Sequence, residues 1–249
     1  MSISTSIKKT IAYAKKYGGN LTEKQLFERL ISNKVYLRKE ISNVKFPISN
    51  KKDKYLKEKI EKAKELAKLI NKQFKDILFL GITGSVAAGY PKNEDDIDLM
   101  IITKNNRLWI LRLKLRIFIA INKIPHRKFG EKEKKDDFCF NLWLDEKALD
   151  IKDKKQNLKN AIDLILIKPL INKNKIYERF ISANGWAKKW VATGYSLKNT
   201  LPSLEKGELN NNIFFDRVVN WVVFWPQFWY MRKRIKNEKI NLHQAFFHH

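Results

Sequence analysis

The stretch ILFLGITGSVAAGYPKNEDDIDLMIIT, residues 77–103, decides how this chain is read. Its first seven residues, Ile77 to Thr83, make an apolar run of the length expected for a buried strand. Gly84-Ser85 breaks the run, and small residues follow. A second apolar run, Ile97 to Thr103, begins with two acids, Asp96 and Asp98. Side chains two apart on a strand point to the same face, so these carboxylates project side by side. Adjacent carboxylates repel each other unless a cation lies between them. Hard oxygen donors beside a phosphate suit magnesium.

The Gly-Ser element has a matching logic. Glycine at position 84 lets the backbone come close to an anion. Ser85 can cap the start of a short helix with its hydroxyl, and the free N–H groups there form a phosphate site by donating to it. One element for a polyphosphate and one for its metal is the combination that nucleotidyl transfer requires, because catalysis there is mainly positioning and charge neutralisation.

Gly-Ser, a short spacer and Asp-x-Asp between two strands resemble the nucleotidyltransferase superfamily that includes DNA polymerase beta, its small minimal members most of all. The resemblance is carried by residues 77–104. It implies an α+β fold with a small mixed-sheet core, here flanked by helical N- and C-terminal regions. It implies that Gly84 and Ser85 contact a nucleoside triphosphate, that Asp96 and Asp98 bind Mg2+, and that a third acid on a later strand completes the site. The residue before the first acid is usually serine in that superfamily; here it is Asp95.

The third strand is expected over Phe138 to Leu144, with Cys139, Asn141 and Trp143 on one face and Phe138, Phe140, Leu142 and Leu144 on the other. Asn141 is the only amide in this apolar run, and a buried amide needs partners that an active site would supply. Asp137 shares its parity and lies nearer the start. Either Asp137 is the third, catalytic acid, or Asn141 stands in its place.

With 249 residues, the chain is long enough to bury roughly 70–75% of its unfolded surface. The single cysteine, Cys139, excludes an internal disulfide and points to a reducing compartment. The N-terminus has no apolar signal core, and no run reaches the ~18 apolar residues of a membrane span. The expectation is a cytoplasmic protein. The net charge of +25 suits a polyanion, whether nucleic acid or a nucleoside triphosphate. The lysines are spread over nearly every segment rather than clustered.

Three parts are expected. Residues 1–50 read as a helical unit. Apolar spacing places a helix over Ser6–Tyr17, ended by Gly18-Gly19; Thr22 to Gln25 has the form of a capping box; and Val35–Ile41 suits a third helix. This order resembles a winged helix-turn-helix, although no recognition helix rich in Arg, Asn or Gln is evident. Residues 51–153 form the nucleotidyltransferase core, entered through an amphipathic helix, Asp53–Phe74, whose charged face is read as solvated. A basic helix, Asn105–Lys123, follows the second strand.

Residues 154–249 read as mostly helical, with a loop over Gly194–Gly207. The phrases Ile167-Lys-Pro-Leu, Ile176-Tyr-Glu-Arg-Phe and Ala183-Asn-Gly-Trp are similar to a segment of uncharacterised nucleotidyltransferase-domain proteins. The aromatic run Val218–Met231 is expected to be a core helix rather than a membrane-surface helix. His243, His248 and His249 lack metal-ligand spacing.

The leading functional reading is Mg2+-dependent transfer of a nucleoside monophosphate from a triphosphate to an acceptor hydroxyl. The acceptor is open: nucleic acid, a small molecule or a protein. The alternative is a non-catalytic nucleotide- or DNA-binding regulatory module on the same fold, antitoxin-like in role.

Overall fold

A computed structural model describes residues 2–42, 54–128, 130–152, 155–199, 213–233, 235 and 239–247. Three helices open the chain: α1 (Ile3–Lys16), α2 (Glu23–Glu28) and α3 (Arg38–Ser42). The capping box forms as its sequence predicts. Gln25 N–H donates to Thr22 Oγ1 at 3.2 Å, and Thr22 N–H to Gln25 Oε1 at 2.9 Å. The helices enclose a small core of Ile7, Ala14, Leu21, Leu26, Leu30 and Ile41. The winged-helix resemblance is not confirmed, since no hairpin wing follows α3 among the described residues.

The core begins with α4 (Lys54–Gln73), which turns into β1 (Ile77–Ile82). A one-and-a-half-turn helix, α5 (Gly84–Ala88), leads to β2 (Ile97–Thr103). β2 is joined to β3 (Phe138–Asp145) through α6 (Leu108–Ile121), and this pair is parallel. A parallel pair needs such a crossover, which a tight hairpin cannot supply.

After residue 153 come α7 (Leu158–Leu166), β4 (Lys168–Asn172), α8 (Ile176–Ala183) and α9 (Lys188–Lys198). They are followed by α10 (Ile213–Arg232), β5 (Lys239–Ile240) and β6 (Gln244–Phe246). Among the described residues six strands form one mixed sheet in the order β4-β1-β2-β3-β6-β5, so the fold is α+β. Three of these strands lie in the region whose periodicity reads as helical. They are two to five residues long, too short for an alternating pattern to register.

The sheet is covered on both faces. α4, α6 and α10 pack on one face over Leu80, Ile97, Leu99, Ile101 and Trp143. α7, α8 and α9 pack on the other over Leu78, Phe79, Met100, Ile102 and Leu144. β4 on one edge and the β6–β5 pair on the other, all from the C-terminal region, complete it.

Three expectations are corrected. First, the parity of β3 changes midway. Leu99 pairs with Phe140 but Met100 pairs with Leu142, so one residue is inserted opposite β2. A bulge of this kind transfers the following side chains to the opposite face. Phe138 and Trp143 therefore share one core, and Leu142 and Leu144 face the other.

Second, Gly194 lies inside α9 rather than in a loop. A Cβ there would overlap the Glu28 carbonyl, so glycine allows α9 to lie against the end of α2. Residues 200–212 fall outside the described residues.

Third, α10 joins the core through Phe224 and Met231, and much of its aromatic run stays outside. Its inward side carries Asp216, Asn220 and Gln227, which bond Arg107, the Trp109 N–H and Arg112. Phe214, Phe215, Trp221, Trp225, Trp229 and Tyr230 are 40–81% exposed. Its apolar stripe was readable in sequence; which side faces the sheet was decided by polar partners on α6.

Candidate active site

The site is built where β1 ends and β2 begins. β1 and β2 are antiparallel, so the end of one lies beside the start of the other, and Ile82 pairs with Leu99. Thr83 N–H donates to the Asp98 carbonyl at 2.9 Å, which fixes the turn against the acid strand. Gly84 follows in a left-handed conformation, φ +62°. A Cβ at this position would overlap Asp98 Oδ2. Glycine is required there by conformation and by space.

Ser85 does not cap α5. The N-cap is Thr83, which makes no side-chain capping bond, and Ser85 lies within the helix with its carbonyl accepting from Gly89 and Tyr90. Its hydroxyl is thus not committed to a capping bond. Thr83 Oγ1 is buried without a hydrogen-bond partner.

Asp96 and Asp98 lie together with Cys139, each offering a ligand atom within 4.8 Å of the others. Asp96 is 4% exposed. Burial, then the charge of Asp98, pushes its pKa up to about 7, against the opposing pull of Arg127. Asp98 is also raised, chiefly by burial; Arg127 and hydrogen bonds from Cys139 and Asn141 resist the shift. Burial pushes the Cys139 thiol far up, so at neutral pH it is an S–H donor to Asp98 rather than a thiolate.

Arg127 is the nearest cation, with Nη1 2.8 Å from Asp96 Oδ2 and 3.2 Å from Glu133 Oε1. Burial would lower its pKa, but the surrounding anionic groups hold it above the ordinary value. Despite this ion pair, Asp96 Oδ2 makes no hydrogen bond of good geometry. Arg127 already supplies one cation at this oxygen, and a single guanidinium does not balance two buried carboxylates. The two carboxylates fit a hard divalent ion; the protonated thiol does not add a soft ligand.

Asn141 Nδ2 donates to Asp98 Oδ1 at 2.8 Å, so the bulged β3 brings the amide to the acid pair. Asp137 lies before β3. Its carbonyl accepts from Ile97 N–H at 2.9 Å, and its side chain does not join the Asp96, Asp98 and Cys139 cluster. Asp95 accepts from the Lys92 N–H at 3.0 Å through its side chain and so shapes the loop before Asp96.

Beside these groups opens a cleft of about 600 Å³. Thr83, Gly84, Asp98, Arg127 and Asn141 line one part of it, and Lys155, Asn157, Lys159 and Asn160 around the start of α7 line another. Acids thus meet cations across a space large enough for a nucleotide.

Residues 57–158 match the family described as RlaP, an RNA repair pathway DNA polymerase beta family. This match fits the DNA polymerase beta-like nucleotidyltransferase superfamily. The matched span contains Gly84, Ser85, Asp96, Asp98, Asp137 and Asn141. No curated protein and no solved structure matches the chain.

Sequence reasoning missed two residues of this site. Arg127 comes from a segment that runs along the open start of β3, where Arg127 N–H donates to the Phe138 carbonyl at 3.0 Å. Nothing local marks it among so many basic residues. Lys59, read as part of a solvated helix face, is 2% exposed. Its ammonium donates to the carbonyls of Asn93 at 3.2 Å and Asp95 at 2.6 Å, and to Asp136 Oδ1 at 2.8 Å. It therefore anchors the loop that presents Asp96. Lys59 shares the helical period of Leu56, Ala63 and Ile70, a signal that was available in the sequence.

Proposed function

We propose that this chain transfers a nucleoside monophosphate from a nucleoside triphosphate to an acceptor hydroxyl, with Mg2+ held by Asp96 and Asp98. The observation that carries this is the buried acid pair, in which Asp96 lies beside Asp98 and Asp98 meets the Gly84 turn at the wall of the cleft. The family match supports the reaction class. Its description also favours RNA as the acceptor, in keeping with the net charge of +25.

In this reading the acceptor oxygen forms a bond to the α-phosphorus, the α–β phosphoanhydride bond breaks, and pyrophosphate leaves. Bound Mg2+ would supply Lewis-acid polarisation of the phosphates. Gly84 gives the triphosphate close access to the backbone, and Ser85 offers a hydroxyl. Lys155 and Lys159 balance phosphate charge from the far wall. Arg127 stabilises the acid pair as anions and holds charge near the reacting centre. Asn141 orients Asp98 by its hydrogen bond. The acceptor proton passes to a carboxylate, for which Asp137 and Asp98 are the candidates.

The test is transfer of label from α-labelled triphosphates to RNA by the purified protein with Mg2+, against Asp98→Asn. Wild-type transfer lost in the variant, with folding retained, supports the reading. Magnesium-independent triphosphate binding without any transfer supports instead the regulatory module, which the amide at Asn141 favours.

A further inference from the structure

A second cavity, of about 50 Å³, lies between α6 and the open first half of β3. At ~10–15 Å³ per water it has room for roughly three to five waters, the space of one phosphate-sized group. Arg112, Arg116, Arg127 and Lys128 line it together with Cys139 and Phe140, and no carboxylate is among the lining residues. β6 pairs β3 only over Leu142–Leu144, which leaves the strand's start to the segment carrying Arg127.

Arg112 is the group that points to a ligand. It is 5% exposed. Its guanidinium donates to Gln227 Oε1 at 2.7 Å and to Met231 Sδ at 3.2 Å, and it lies over the rings of Trp109 and Phe247. All four partners are neutral, and it has no carboxylate partner among the described residues. Burial, then the nearby charge of Arg116, lowers its pKa. A guanidinium nevertheless stays cationic at neutral pH. A buried cation with neutral partners and a second cation beside it is unfavourable unless an anion is bound. Placing Arg112, Arg116 and Lys128 around one phosphate-sized space supplies that anion's site.

The cavity adjoins the acid pair. Arg127 and Cys139 line it, and both also touch Asp96 or Asp98. Arg127 lines the nucleotide-sized cleft as well.

We propose that this cavity binds a phosphate group of the acceptor and so sets where the acceptor hydroxyl enters the site. The inference rests on the transfer reading above and adds the requirement that the acceptor carry a phosphate near its reacting hydroxyl. A nucleic-acid backbone, a sugar phosphate and free phosphate share this chemistry.

The experiment measures binding of a short single-stranded oligoribonucleotide, glucose 6-phosphate and inorganic phosphate, each across a chloride series. The proteins are the wild type and the Arg116→Gln, Lys128→Gln double variant. Arg112 is left in place because it joins α6 to α10. For a nucleic-acid acceptor the oligoribonucleotide should bind about tenfold or more weakly to the variant, and its salt slope should fall by about one per cation removed. Loss confined to glucose 6-phosphate or to inorganic phosphate would assign the pocket to that source. Affinities and slopes unchanged within twofold for all three ligands, or no binding of any of them to the wild type, overturn the proposal. Triphosphate binding, read separately, reports on the cleft. Its absence while the pocket still discriminates the variant would reject the transfer reading and leave the anion site standing.

Discussion

Asp98 Oδ2 occupies the space that a side chain at Gly84 would need. The turn proposed to hold the triphosphate and the acid proposed to hold the metal are therefore in contact through the absence of one Cβ. Gly84→Ala should cost stability twice: about 1–2 kcal/mol for an L-residue at positive φ, and more for the displaced carboxylate. The variant should fold with a lower Tm and lose Mg2+-dependent triphosphate binding by at least about tenfold. Unchanged binding would show that Asp98 can move without consequence.

The acid pair makes the metal-free protein pH-sensitive in a defined direction. Asp96 holds its proton up to about 7 in the folded state because of burial and Asp98, whereas an unfolded aspartate titrates near ~4. The folded protein thus binds more protons between these values, and stability should rise as pH falls from 8 towards 5. The effect should be on the order of 2 kcal/mol. Mg2+ should raise Tm at pH 8 and do little at pH 5, since its ligands must be ionised. Thermal melts with EDTA or Mg2+ check this, with Asp96→Asn as the reference whose slope should be shallower, the remainder coming from Asp98, which is also raised by burial. A wild-type slope equal to that of Asp96→Asn would sink the assignment.

Asn141 and Asp137 compete for the role of third acid. Asn141 already reaches Asp98 at 2.8 Å. If the site lacks its base, Asn141→Asp should raise transfer by up to ~10²–10⁴-fold, the usual range for general-base catalysis. The metal-free variant should also melt lower, because three carboxylates would then crowd one space. If Asp137 supplies the base, Asp137→Asn should reduce transfer by a similar factor. Rates of both variants on one acceptor separate the two cases, and unaltered rates in both would place the base elsewhere.

Lys59 and Lys62 bond the same carboxylate from very different surroundings. Lys59 is 2% exposed and Lys62 is 47% exposed, with Asp136 at 2.8 and 2.6 Å. Lys59→Met removes a buried cation and leaves the Asn93 and Asp95 carbonyls without their partner, while Asp136 keeps Lys62, so it should cost roughly 1–3 kcal/mol. Lys62→Met should cost about 0–1 kcal/mol, because water screens the pair. Urea unfolding of both variants tests the contrast, and equal costs would show that the anchor before Asp96 is not structural.

Short-range physics made the centre of this protein legible in its sequence. An apolar run, a glycine break and an acid-bearing apolar run can only be two strands with a turn, and β1 and β2 occupy the expected residues within one position. Strand alternation put Asp96 and Asp98 on one face, and the Thr22–Gln25 box formed because its two bonds span only three residues. The flanks were harder to read. β4, β5 and β6 are too short for periodicity to declare them. The bulge in β3, which carries Asn141 to Asp98, depends on register with β2. Arg127 belongs to the site only because its segment runs beside β3. α10 turns Asn220 and Gln227 inward beside Phe224 and Met231 because Trp109 and Arg112 on α6 offer bonds there. Local spacing determines which elements form and which side chains share a face. Long-range pairing decides which faces meet, because partners distant in the chain supply the hydrogen bonds and charges that favour one orientation.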